Sequence, residues 1–263
     1  MKTFTFQLEN NDRNHGTVYL PDNNENPLPV VVYCHGWGAS QALNPSTQAV
    51  CTALLEHKAA LVAFDFWGCG KTSGSYSEMS YGRWTTNLRD VFEWVAQQHW
   101  ANRQKIGCFG ISSGTTAALR YAIQNRDLAF VVSVATCLGS NIHMPNGPGK
   151  QMVENWDKLL GGGSVELFGV PFKLDFFKDF IGHAPVFNLR DITCPVFFLT
   201  GADDNPFRRS DAWLGYTLMK QKGLNVRYFE IEGGNHVLDN VPDICAQEAI
   251  TWLKSIGVLV ANG

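Results

Sequence analysis

Residues 105–120 read KIGCFGISSGTTAALR. The first seven, Lys105 to Ile111, form a mostly apolar run of the kind a strand shows when both of its faces are buried. From Thr115 to Asn125 the apolar spacing becomes helical. Gly110-Ile-Ser-Ser-Gly114 lies between, so strand must give way to helix within a few residues, with Ser112 at the bend. Glycine at 110 and 114 removes the Cβ atoms that would collide as strand and helix fold over the serine. A serine held on such a turn is a candidate nucleophile.

The same alternation recurs on both sides. Apolar runs at PVVVYC (29–34), ALVAFDF (60–66), LAFVVSVAT (128–136), PVFFLTG (195–201) and VRYFEIEG (226–233) read as strands. Helical patterns at Thr47–His57, Trp84–Trp100, Ser210–Lys222 and Pro242–Ile256 separate most of them. Strand, helix, strand implies parallel strands joined by crossovers. The start differs: Phe4, Phe6 and Leu8 alternate with polar residues and Thr17–Leu20 follows an Asn/Asp/Gly turn, which predicts an antiparallel hairpin. The expected fold class is therefore α/β, a mostly parallel eight-stranded sheet with an antiparallel N-terminal hairpin and helices on both faces, in one domain over residues 1–263. Residues 138–189 break the rhythm. They show no clean strand, but carry Gly161, Gly162 and Gly163 and the apolar group Phe168, Val170, Phe172, Leu174, Phe176, Phe177 and Phe180. An insertion of this length is expected to form a lid or cap, its phenylalanines either lining a ligand site or extending the core.

Composition removes several function classes. The chain of 263 residues is 45% hydrophobic with a net charge of -3 and no basic run, so no nucleic-acid partner is expected. No segment approaches a membrane span and the N-terminus lacks a signal-like apolar core, so no membrane partner is expected either. Seven scattered cysteines, odd in number and never in a C-x-x-C pair, suit a reducing compartment and predict a cytoplasmic location. The segment DFWGCGKTSG (65–74) imitates a phosphate-binding loop but has Asp65 where that loop requires glycine, so no nucleotide is expected. The seven histidines form no metal-ligand spacing, and neither metal nor cofactor is expected.

In an open α/β sheet, ligands bind beyond the carboxyl ends of the strands. A serine needs a base to take its proton and a carboxylate to orient that base. After PVFFLTG comes Asp204, with Asp203 as the alternative acid, and after VRYFEIEG comes His236. The order serine, acid, histidine is that expected of a strand-turn-helix nucleophile. After PVVVYC comes His35-Gly36-Trp37-Gly38. The main-chain amides of Trp37 and Ser113 are the candidate donors to an oxyanion, and the Trp37 ring either walls a pocket or packs.

Taken in order, His35-Gly36-Trp37-Gly38, Asp65-x-x-Gly68-x-Gly70, Gly110-x-Ser112-x-Gly114, Gly201-x-x-Asp204 and His236 make the chain resemble an α/β-hydrolase over nearly its whole length. In that family the glycines of residues 65–70 serve the backbone of a turn beside the site, which accounts for the imitation of a phosphate loop. Gly74-Ser-Tyr-Ser-Glu-Met-Ser80 and the insertion before the acid strand are similar to small bacterial feruloyl and cinnamoyl esterases and their lipase-like relatives; Ser113 departs from them, standing where many carry a bulkier residue. The resemblance implies a small-molecule partner, a small to medium carboxylic ester, and no cofactor. Trp37, Trp156, Phe168, Phe172, Phe176 and Phe177 are candidates to contact an apolar acyl or alcohol group. A peptidase or amidase of the same fold and a non-catalytic binding protein are the competing expectations.

Overall fold

The computed structural model describes residues 1–22, 27–139, 147–167 and 169–260. Strand β1 (Lys2–Gln7) pairs antiparallel with β2 (His15–Leu20), which pairs antiparallel with β4 (Ala60–Phe64). From β4 the sheet continues in parallel through β3 (Leu28–Cys34), β5 (Ala101–Ile111), β6 (Val131–Val134), β9 (Val196–Gly201) and β10 (Val226–Ile231). The result is the expected eight-stranded sheet, in the order β1-β2-β4-β3-β5-β6-β9-β10.

Side chains alternate across a strand, so a run apolar at every position fills two cores. In β3, Val30, Val32 and Cys34 enter one apolar cluster and Val31 and Tyr33 the other. Helices α1 (Pro45–Glu56) and α8 (Pro242–Ser255) pack together over the second. Helices α2 (Tyr81–Ala96), α3 (Ser113–Gln124) and α7 (Pro206–Gln221) lie over the first. Several helices begin earlier than their apolar spacing predicts because caps set their starts. Asn44 accepts from Thr47 N–H, Ser80 from Arg83 N–H and Asn205 from Phe207 N–H, each side-chain cap satisfying an amide the helix itself leaves open.

The insertion between β6 and β9 contains α4 (Pro148–Glu154), α5 (Trp156–Leu160), β7 (Val165–Leu167), β8 (Val170–Phe172) and α6 (Leu174–Gly182). The antiparallel pairing of β7 with β8 corrects the strandless reading of this interval. Three-residue strands turning at Gly169, which has φ +79°, are too short to show a period of two. A buried ion pair ties the insertion to the body: Arg120 of α3 donates to both oxygens of Asp179 of α6, at 3.0 and 3.2 Å, and Asp179 also accepts from Gly82 N–H of α2. Arg120 is 6% exposed, so removing its partner strands a charge in the interior. Asp179→Asn is expected to lower unfolding free energy by about 3 kcal/mol, measured by urea denaturation.

Candidate active site

The site forms where β3, β5, β9 and β10 end. Ser112 closes β5 with φ 52° and ψ -121°, a left-handed conformation that non-glycine residues avoid and that costs of order 1–3 kcal/mol. Its neighbours leave no alternative. A Cβ on Gly114 would stand 2.1 Å from the Cys34 carbonyl oxygen, and one on Gly110 2.9 Å from Thr115 Cα. The turn can close only because both positions are glycine.

Two further strand ends are stitched together beside it. A Cβ on Gly201 would lie 2.0 Å from the Gly234 carbonyl oxygen, to which Asp203 N–H donates at 2.9 Å. This brings the loop after β9 against the loop after β10. The Asp204 carboxylate is buried; its Oδ1 accepts from His236 Nδ1–H at 2.7 Å and from Asn205 N–H at 2.6 Å. His236 Nε2 lies 3.1 Å from Ser112 Oγ. With Nδ1 committed as donor to the carboxylate, Nε2 is left as the acceptor facing the hydroxyl. The structure thus brings Ser112, His236 and Asp204 into one hydrogen-bonded line, while Asp203, the alternative acid, is exposed and outside it.

The loop after β3 abuts the serine. A Cβ on Gly36 would stand 3.2 Å from Ser112 Cβ, which places the Trp37 backbone on one side of Ser112 while Ser113 follows it in the chain. Ser113 is the first residue of α3, so its amide has no acceptor within the helix and lies at the positive end of the helix dipole. Three contacts that the spacing of residues did not reveal hold this loop. Gly38 N–H donates to Tyr76 Oη at 3.0 Å, Trp37 Nε1–H donates to Met79 Sδ at 2.8 Å, and His35 bridges to the neighbouring strand end. His35 Nδ1–H donates to the Gly36 carbonyl at 2.9 Å and Nε2 accepts from Phe66 N–H at 3.1 Å, a role only the neutral ring can fill. The Asp65 carboxylate organises the turn beyond, accepting from Gln41 and Lys71 amides; a Cβ on Gly70 would strike it at 2.2 Å.

Burial drives the His35 pKa down to about 4. The folded protein therefore keeps this ring neutral while the unfolded chain takes up a proton below about pH 6.5. Its contribution is complete above pH 6.5 and is lost as pH falls towards 4, by about 3 kcal/mol in all. Urea unfolding at pH 7 and pH 4.5 is expected to show this loss in the native chain and a smaller one in His35→Gln.

The aromatic candidates divide. Trp37 stacks on Phe172 (centroids 5.3 Å apart, planes 9° apart) and on Phe176 (5.9 Å), but Phe172 and Phe177 have no exposed surface and Phe176 has 3%. All three rings lie in the core, Phe172 and Phe176 packed directly against Trp37 and Phe177 edge-on to Phe176. Trp156 on α5 is exposed, and Phe168 lies outside the described residues. Among the described residues no cluster of three or more side chains suits a metal ion, and no helix is long and apolar enough to cross a membrane.

Sheet order, the strained serine turn and the strand-end loops together define an α/β-hydrolase. Residues 29–164 match the family described as alpha/beta hydrolase fold, and the chain belongs to that family. Over 106 residues it is 27% identical to an uncharacterized 31.7 kDa protein of the traX-finO intergenic region of Escherichia coli, a match covering 40% of this chain and 36% of that one. The chain thus aligns with just over a third of the length of the curated relatives it matches. Among solved structures it is similar to Est1E from Butyrivibrio proteoclasticus with ferulic acid bound (18% identity, TM-score 0.73, 91% of this chain and 95% of that one). It is also similar to the esterase domain of a Rhodothermus marinus protein (17% identity, TM-score 0.69, 98% and 100%). At these identities the likeness is one of fold.

Proposed function

We propose that the chain is a serine hydrolase that cleaves small to medium carboxylic esters through an acyl-enzyme. The observation that carries this reading is the line from Ser112 Oγ through His236 (3.1 Å) to Asp204 (2.7 Å). His236 Nε2 takes the Ser112 proton as Oγ bonds to the ester carbonyl carbon, and Asp204 stabilises the imidazolium. The Trp37 and Ser113 amides receive the oxyanion. Collapse breaks the carbon–oxygen bond to the alcohol, which leaves with the proton from His236, and water repeats the sequence on the acyl-enzyme. The esterase neighbours support an ester rather than an amide substrate, and ferulic acid on Est1E supports an aromatic acyl group. The insertion at 138–189 is the cap over this site, and reduced, buried cysteines support a cytoplasmic setting.

The test is labelling with a fluorophosphonate, which phosphonylates a serine only where a base activates it. Stoichiometric modification at Ser112, lost in His236→Ala, is the expected result. A folded protein that stays unmodified while failing to hydrolyse aryl esters would leave the fold as a binding module.

A further inference from the structure

The sheet ends on a strand with a free side. β10 pairs with β9 and, among the described residues, with no other strand, so one row of its peptide groups faces outward. The ladder fixes which row that is. Val196 N–H donates to the Asn225 carbonyl at 3.0 Å and Ala202 N–H to the Ile231 carbonyl at 2.8 Å. Peptide groups alternate sides along a strand, so the odd-numbered positions serve β9, while Val226, Tyr228 and Glu230 present N–H and C=O to the edge. Proteins commonly blunt such an edge with a proline or a bulge. β10 has no proline, and its register with β9 is unbroken.

The surface beside that row is laid out to meet a reversed copy of itself. At mid-strand the Tyr228 ring packs edge-on to Trp213 of α7, with centroids 5.2 Å apart, and lies 6.0 Å from Tyr216. Trp213 is 55% exposed. Large aromatics at the centre with charges around them are the anatomy of a stable interface. The charges here are sorted by end. Exposed Asp203 and Glu232 stand at the carboxyl end of the strand, where Arg209 is closed on Glu230 at 2.8 Å. Exposed Lys220 and Lys222, at the far end of α7, precede the amino end of β10. Antiparallel pairing of two copies sets the acidic end of each against the basic end of the other; parallel pairing would set like against like. One register engages all three outward residues: Tyr228 opposite Tyr228, and Val226 of each copy opposite Glu230 of the other, every pair exchanging two hydrogen bonds.

We propose that this edge is where two copies of the chain associate, β10 pairing antiparallel with β10 about a two-fold axis at Tyr228 and covering Trp213. The axis stands perpendicular to the sheet, so the α7 faces of the two copies lie side by side and one sheet runs through both. Sedimentation velocity over about 1 to 100 µM is expected to show the native chain at twice the mass of one chain. Trp213→Lys brings two cations together near the axis and is expected to weaken association by about 30-fold or more, the loss typical of a central interface aromatic. Its far-ultraviolet circular dichroism should remain that of the native chain, because the indole is more than half exposed. Cross-linking reads the register, since all seven native cysteines are buried. Tyr228→Cys sets two thiols opposite each other with Cα atoms about 5.5 Å apart, within disulfide reach, and is expected to give a covalent dimer on mild oxidation. Glu230→Cys leaves its two thiols roughly 13 Å apart along the strands and is expected to give none. A native chain that stays monomeric throughout the range leaves the edge to another partner and overturns the proposal. So does a dimer that is indifferent to Trp213→Lys, that fails to cross-link through Tyr228→Cys, or that cross-links through Glu230→Cys.

Discussion

Ser112→Ala is expected to lower kcat for an activated aryl ester by about a millionfold, the loss found when the serine of a triad acting as a unit is removed. The structure says why the fold should survive. Alanine at 112 must adopt the same φ of 52°, at the same steric cost as serine, and it fits in the space the hydroxymethyl group occupied. The one partner lost is His236 Nε2, whose ring is 43% exposed and can turn to water. Unfolding free energy should therefore change by no more than about 0.5 kcal/mol. Initial rates paired with urea denaturation check both halves. A variant that keeps even a tenth of native turnover would remove Ser112 from the chemistry.

Asp204→Asn is expected to lower kcat by about ten thousandfold. Asp204 Oδ1 receives two donors, His236 Nδ1–H and Asn205 N–H, while Oδ2 is buried without a hydrogen-bond partner among the described residues. An asparagine that keeps its oxygen at the first position buries an NH2 group with nothing to accept from it. One that flips points N–H at His236 Nδ1 and at Asn205 N–H; the first forces the ring into the tautomer whose Nε2 already carries a proton, and the second is a repulsion. Either orientation also removes the charge that would stabilise the imidazolium. Steady-state kinetics should show kcat falling with little change in KM, because the acid does not touch the substrate. A loss under a hundredfold would point to Asp203 or another carboxylate as the orienting group.

The buried half of the architecture was legible because its signals are local. Runs such as LVAF in β4 and the glycines around Ser112 state their environment without reference to distant residues. The order of Ser112, Asp204 and His236 was legible because parallel strands deliver their following loops to one edge of the sheet. Partners supplied by distant segments were not. Tyr76 and Met79 support the loop at 37–38 across about forty residues of chain, and nothing in their own neighbourhood announces it. The insertion was read least well. Its hairpin is too short for periodicity, and a phenylalanine pattern is the same whether the rings face a ligand or, like Phe172 and Phe176, face one another.

Trp37 belongs to two structures at once. Its backbone follows Gly36 against Ser112, and its ring packs against the stacked pair Phe172 and Phe176 from a part of the chain more than a hundred residues later. On the proposed reading, selectivity and speed are consequently not separable modules. A chimera that receives the 138–189 segment of a homologue inherits a foreign bed for that indole, and the peptide plane beside Ser112, the proposed nucleophile, is expected to tilt with it. Grafts of this kind should lose turnover on every substrate unless position 37 travels with the graft.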